Sequence, residues 1–490
     1  MDENSQGLKL VTPKNIHFLI GLAIMLVFRF IPPFGPITAI GMQILGIFIG
    51  TLYLWTTVDV LWSSILCIAM VGLSDYDTMG NVLSMAFGNS VVVQVLFMMI
   101  FAGALAHEGI TAHIGRFFLT RKFSEGKPWL FTFMICMASF AMTIFVGCTP
   151  AIILMWPIVY DALEQVGYRR EDHETYGVLA IILVVLSALA AFPVPPFKSN
   201  GLALLANYRA LSSDPSFMND GMYFIATMIV GILFVVIAIL ICKFVFRPDV
   251  SKLKELKIED LNKNPLPALD ARQKVLFWGV VLLTLVMLLP SFFKGIPFFD
   301  FLNANTIGMA VLFCGVMAGV HIAGKPIVAV GPSIQKGVSW GIFFLIVAAI
   351  MLSSILPNEK TGISAALKLA LTPLFSGMSG FTFVVFALLI QMVLTNICNS
   401  LVIGMIFQPI IFAYCSTAGV NAAPIVAVSI FFVLSCAMFT PAASPFAAMM
   451  FANTDWLKSS DIYKYTGTFI IAELVLMLVV AYPLFSVMLS

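Results

Sequence analysis

Charge is what this sequence lacks most. Only 10% of its 490 residues are Asp, Glu, Lys or Arg, against about 25% in soluble proteins, and 61% are hydrophobic. A water-soluble globular protein is thereby excluded. Strict alternation of polar and apolar residues is also missing. The apolar runs continue for about 20 residues, the length of a membrane-crossing helix and not of a barrel strand. The net charge of +2 contains no basic stripe or arginine-rich arm, so nucleic acid is not an expected partner. The eight cysteines (Cys67, Cys136, Cys148, Cys242, Cys314, Cys398, Cys415 and Cys436) form no CxxC pair, which indicates neither a disulfide framework nor a zinc site. There is no P-loop, no G-x-S-x-G, no H-E-x-x-H and no intramembrane cluster of Asp and His. No segment is long enough for a soluble nucleotide-binding domain. Neither an enzyme nor an ATP-driven pump is expected, and no metal or cofactor beyond a coupling ion. The polar stretch from Met1 to Asn15 runs straight into the first apolar segment without a cleavage site, which reads as a retained first span.

What is present is a series of apolar helices. Full-length spans fall at 16–31, 37–55, 57–73, 84–106, 176–192, 222–246, 275–292, 304–322, 338–356, 423–439 and 466–489. Two regions, 128–160 and 380–414, are pairs of shorter apolar stretches interrupted by small and polar residues. Broken helices at membrane depth are tolerated only where protein covers them or they line a cavity. The expectation is an all-α polytopic membrane protein of about 11 transmembrane helices plus two re-entrant hairpins. The one long hydrophilic stretch, Pro248 to Ala271, reads as a surface linker near the midpoint. With a cytoplasmic N-terminus and both broken regions taken as hairpins, the inner side collects Lys9, Lys14, Arg116, Arg121, Lys122, Lys127, Arg169, Arg170, the cluster from Lys243 to Lys274, Lys325, Lys336, Lys458 and Lys464. The outer side keeps Arg29, Arg209, Lys294, Lys360 and Lys368. This asymmetry follows the positive-inside rule and places the chain in the cytoplasmic (inner) membrane.

The two halves repeat one another. Span 84–106 leads to Gly109-Ile110-Thr111-Ala112, and span 338–356 to Gly362-Ile363-Ser364-Ala365. Each is followed by an amphipathic segment (112–123 and 365–375), a broken hairpin, and a span ending in a proline-containing break, "FPVPPFKSNG" and "FTPAASPFAA". Pro157 and Pro409 are 252 residues apart. The assumed orientation makes the repeat inverted, which points to a secondary transporter with a site at the membrane midplane. The units read as N-terminal spans 1–83, a first repeat 84–247, the linker 248–271, connecting spans 272–333 and a second repeat 334–490.

Function is expected at the breaks. The hairpin tips carry Thr143, Gly147, Cys148 and Thr149 in one half, and Thr395, Asn396, Asn399 and Ser400 in the other. Helix N-termini attract anions, exposed carbonyls suit a cation, and hydroxyls and amides hydrogen-bond carboxylate oxygens. Ser, Thr and Asn also glue helices together, but clustering at both tips favours a site. A coupling cation, Na+ or H+, would sit at Thr143, Gly147, Thr395, Asn399 and Ala443. Lys198 lies at the break between a span and a short helix, Gly201 to Tyr208. A charge at that depth costs about 2.5–3.5 kcal/mol on insertion scales, so Lys198 either pairs with an anionic substrate or stands where a metal cation would. Glu473, deep in the last span, reads as a helix-bonded carboxyl on a peripheral span; a proton carrier and a partner for Lys198 are its other readings. His107 and Glu108 read as interfacial, and Asp59 as a helix cap.

This pattern resembles the divalent-anion:sodium symporter family within the ion transporter superfamily. The likeness runs over essentially the whole chain and is strongest from Ser435 to Leu474, "SCAMFTPAASPFAAMMFANTDWLKSSDIYKYTGTFIIAEL". It implies a homodimeric elevator-type carrier of dicarboxylates, citrate or sulfate, usually coupled to sodium, with substrate held between two Ser-Asn-Thr tips. By position the first tip motif falls on Gly147-Cys148-Thr149, where only Thr149 matches, and the second on Asn399-Ser400-Leu401 or, with a one-residue slip, on Cys398-Asn399-Ser400. The family's Pro-Pro-Asn becomes Lys198-Ser199-Asn200; Ser444-Pro445 match its Thr-Pro, and the following Asn is replaced by Ala447. The implied substrate-binding residues are Cys148, Thr149, Lys198, Ser199, Asn200, Asn399, Ser400, Ser444 and Pro445. The lost tip residues are sodium ligands in the family, so the resemblance implies that Lys198 replaces one sodium ion. The competing expectations are a sodium-independent channel or uniporter, which would not accumulate its substrate, a carrier of another anion such as sulfate, and a membrane enzyme.

Overall fold

The computed structural model describes residues 12–489 apart from 120–123, 213, 256–266, 294, 357, 364, 367–368, 370–372 and 374–376. The heart of the expected linker and much of the amphipathic segment 365–375 lie outside the described residues, as does the tail of segment 112–123.

The described chain is a succession of helices. They are α1 (Pro13–Val27), α2 (Ala39–Thr57), α3 (Leu61–Gly72), α4 (Met79–Phe87), α5 (Ser90–His107), α6 (Ile110–Leu119), α7 (Pro128–Phe145), α8 (Cys148–Gln165), α9 (Thr175–Ala191), α10 (Ser199–Leu211) and α11 (Asp220–Ile241). After the linker come α12 (Ala271–Leu288), α13 (Pro297–Ala304), α14 (Thr306–Gly319), α15 (Val330–Gly337), α16 (Trp340–Ile355), α17 (Gly380–Thr395), α18 (Ser400–Ala418), α19 (Ala423–Ser435), α20 (Pro445–Ala452), α21 (Ser459–Leu476) and α22 (Tyr482–Met488). Among the described residues, the strands are confined to a two-stranded ribbon, His321–Ile322 paired with Lys325–Pro326.

Local chemistry sets many of the starts. Proline, whose missing N–H is no loss in a first turn, opens α1, α7, α13, α19 and α20. Asp270 forms a reciprocal capping box with Gln273 at α12. Asp59 caps α3 by accepting from the backbone N–H of Leu61 and Trp62.

Among the described residues, seven helices are long and apolar enough to cross a membrane, and nine if two bent pairs count as single spans. The two counts differ in membership: the expected spans 57–73, 176–192 and 423–439 hold helices that are apolar but short, Leu61–Gly72, Thr175–Ala191 and Ala423–Ser435, while Pro128–Phe145 and Ser400–Ala418 among the seven belong to the expected hairpins. Two bends escape the sequence reading. The expected spans 304–322 and 338–356 are each preceded by a short helix inclined at 79°, α13 before α14 and α15 before α16. Asn305 breaks the first pair, and extended backbone at Val338 and Ser339 breaks the second.

The repeat is present in the helices. The first hairpin consists of α7 and α8, the second of α17 and α18, and the starts of corresponding helices lie 252 residues apart, at 128 and 380 and at 148 and 400. In each half the two hairpin helices pack on each other and on the following helix, α9 or α19. Every residue of α19, and every residue of α9 after Thr175, is buried. A helix apolar on all sides belongs in the interior, and these two touch each other there. The short helices after the breaks cross over: α10 packs on α18 of the second hairpin, and α20 on α8 of the first. Both hairpins and both breaks therefore meet around the α9–α19 contact.

Candidate functional site

The first hairpin turns at Gly147, whose φ of 120° and ψ of 165° lie in a region that only glycine occupies readily. Gly147 supplies no side-chain cap to α8. At the equivalent position of the second hairpin, Asn399 caps α18, its Oδ1 accepting from the N–H of Leu401 at 3.0 Å and of Val402 at 3.5 Å.

Each tip is fastened to the break of its own half. At the first, Lys198 is buried (7% exposed) and its Nζ donates to the carbonyls of Ile144 at 3.1 Å and Thr143 at 3.5 Å. These carbonyls close α7, where a helix end carries partial negative charge and favours a cation. At the second tip, the Thr440 hydroxyl donates to the carbonyl of Asn396, and Asn396 Oδ1 accepts from the N–H of Phe439 at 2.9 Å. Ile144 and Asn396 are equivalent in the repeat, 252 residues apart. Lys198 is thus the charged counterpart of a neutral staple.

Between the second tip and the two breaks lies a cavity of about 60 Å3 lined by Asn200, Asn399, Ser400, Ala443, Ser444 and Pro445 among others. Its apolar wall includes Val60 beside α3 and Ile342 and Leu345 of α16. No charged side chain lines it among the described residues. Ser444 caps α20 through Ala447 N–H and donates to the carbonyl of Ala437 at 2.7 Å. Ser400 accepts from the Thr395 hydroxyl at 3.0 Å. Among the described residues, the Oδ1 of Asn200 is buried without a partner, and so is the Thr143 hydroxyl. The arrangement offers amide and hydroxyl groups, the recognition chemistry of carboxylate oxygens.

Other expected residues lie elsewhere. Cys148 is buried and Thr149 exposed, both away from this cavity. Lys198 lines a separate void of about 10 Å3 with Phe197 and Ile144. Ser199 heads α10, and its side chain is outside the described part. Glu473 is no partner of Lys198 and not peripheral: it is fully buried and accepts from the Ser435 hydroxyl of α19, while its second oxygen is unpartnered. Helix α21 turns this carboxyl inward, where the nearest donor is a serine and not the lysine. Glu108 is more than interfacial. Arg272 holds both its carboxylate oxygens, and both side chains are largely buried.

Polar pairs inside the apolar runs went unread. Asn207 Nδ2 donates to Gln408 Oε1 at 2.6 Å, and Gln408 Nε2 to the Leu204 carbonyl at 2.9 Å, tying α10 to α18. Gln391 Nε2 donates to Ser429 at 2.7 Å. Their signal in the sequence is an amide isolated in an apolar run, which needs a partner at membrane depth.

Residues 10–431 match the family model described as "CitMHS: Citrate transporter". No curated protein matches the sequence. Among solved structures, the YdaH transporter of Alcanivorax borkumensis is similar, with a TM-score of 0.55 and 11% sequence identity over 91% of this chain and 98% of that one. At that identity the likeness is one of fold. Family and fold neighbour are transporters, not enzymes.

Proposed function

The chain belongs to the citrate transporter family, and on that premise we propose that it is a secondary active carrier of small organic anions, with citrate as the first candidate. The observation that carries this reading is the convergence of Asn200, Asn399, Ser400 and Ser444 from both halves on one cavity. At about 60 Å3 it is far smaller than the ~300–1,000 Å3 of open ligand pockets. Substrate therefore enters when the second tip and the breaks part from α3 and α16. Movement of the two hairpins as a unit against those helices is the elevator mechanism that the likeness to divalent-anion:sodium symporters suggests. The same likeness supports a homodimer. The charge asymmetry of the loops supports a cytoplasmic N-terminus in the inner membrane.

Lys198 acts in this reading as a tethered cation. Its ammonium occupies carbonyls that would otherwise suit a free monovalent ion, so coupling uses fewer sodium ions, or protons. The test is uptake of labelled citrate into proteoliposomes, with and without sodium and a pH gradient. Lys198→Ala should either abolish uptake or make it newly dependent on sodium. Unchanged rate and ion dependence in that variant would overturn the role of Lys198. Failure of the wild type to accumulate citrate or any related carboxylate would overturn the carrier reading.

A further inference from the structure

A second cavity, of about 430 Å3, opens on the far side of the first break. Its size is that of a small-molecule site, which runs from about 300 to 1,000 Å3. Its polar lining comes from Gln94 of α5, Arg209 of α10, Asn219 and Asp220 at the start of α11, and Asn303 and Thr306 of the bent pair α13–α14. Phe197 lines it too, and the same ring borders the small void that holds Lys198.

The donors on this wall are not all occupied. Arg209 gives one nitrogen to Asp220 Oδ1, and its guanidinium has five N–H donors in a fork that fits a carboxylate. The Gln94 side chain is 6% exposed and borders this space, where its amide can meet a ligand. Asn219 is fully used, capping α11 through Gly221 and Met222 and donating to the Ser291 carbonyl at 2.8 Å. Thr306 is used on the carbonyls of Leu302 and Asn303. The start of the 22-residue helix α11 opens on this space and adds positive partial charge. The ion pair with Asp220 cancels the net charge of Arg209, so the wall is rich in donors without being strongly basic. The guanidinium N–H groups that Asp220 leaves open, with the amides of Gln94 and Asn303, suit a carboxylate.

We propose that this cavity is a second carboxylate-binding site, a vestibule in which the transported anion is held before it reaches the tip cavity. Arg209 takes one carboxylate through the N–H groups that Asp220 leaves open. Gln94 and Asn303 hydrogen-bond the rest of the ligand, and Phe197 separates it from Lys198. The proposal rests on the carrier reading. Its test uses the full-length protein with Ser216→Cys as reporter, in a Cys398→Ser background, because Cys398 is the native thiol that is not buried. Ser216 is exposed, lines the cavity and uses its hydroxyl on Asp214. Citrate should slow labelling of this cysteine by a charged thiol reagent. The protection should persist when Asn399→Ala and Ser400→Ala disable the tip cavity. Arg209→Gln should raise the citrate concentration needed by about tenfold or more, Gln94→Leu should raise it less, and Arg209→Lys should restore part of the effect; size-exclusion profiles show which variants fold. Citrate uptake by the reporter protein with no protection of the cysteine would overturn the vestibule and leave the carrier reading standing. So would protection that Arg209→Gln and Gln94→Leu, both folded, leave unchanged. Failure of the wild type to accumulate citrate or any related carboxylate would overturn both.

Discussion

At Gly147 one backbone conformation decides how the first hairpin turns. A β-carbon there meets no close neighbour, the nearest atom being Pro150 Cδ at 3.9 Å. The obstacle to substitution is therefore the torsion and not space. Gly147→Ala should cost about 1–3 kcal/mol, read as a lower thermal midpoint in detergent together with slower uptake. Asn399→Ala at the equivalent position removes two cap bonds and should cost about 1 kcal/mol. A ranking with Asn399→Ala clearly the more damaging to stability would contradict this account. Both residues were readable as tip residues, because glycine and asparagine interrupt apolar runs. Lys198 was readable as an anomaly for the same reason. Its partners were not, since they are backbone carbonyls and any residue type supplies a carbonyl.

At the scale of elements, the turns that follow α5 and α16 repeat one design. Gly109 and Gly362 adopt positive φ, 70° and 67°. Each turn is anchored to a helix outside its own half-hairpin. Arg272 grips the Glu108 carboxylate and Gln273 Nε2 donates to the Glu108 carbonyl at 2.9 Å. At the other turn Thr38 N–H donates to the Thr361 carbonyl at 3.1 Å. That approach depends on glycine: a β-carbon at Gly41 would lie 1.8 Å from the Thr361 oxygen. Breaking the largely buried pair by Glu108→Gln should destabilise the protein by on the order of 3 kcal/mol. The double variant Glu108→Leu with Arg272→Met should recover much of the loss, because it leaves no unpaired charge. Additive losses in thermal denaturation would remove the ion pair as the cause. The sequence showed the repeated glycines. It hid the anchors, which lie 164 residues away at Arg272 and 323 residues away at Thr38.

For the whole molecule, the crossing of α9 and α19 and the exchange of α10 and α20 between hairpins make the two halves one interior. The proposed orientation rests on the loop charges and is open to test. Ser251→Cys, in the linker, should react with an impermeant thiol reagent only after membranes are permeabilised, and Ser216→Cys should react in intact cells. The reverse pattern would invert the orientation.

By itself the sequence determined the class, the 252-residue repeat and the breaks at the hairpin tips and after the two buried spans, but not the bends before α14 and α16. Apolar run length, proline, glycine and the scarcity of charge are local quantities, and membrane solvation acts on them directly. Only the tertiary structure decided what each polar group meets. It brought Asn200, Asn399, Ser400 and Ser444 to one cavity and set Lys198 apart on the end of α7. It turned Glu473 toward Ser435, and it opened a second, donor-lined space around Arg209 and Gln94. The physical reason is that a buried polar group must find a partner, and which partner is within reach depends on how distant helices pack.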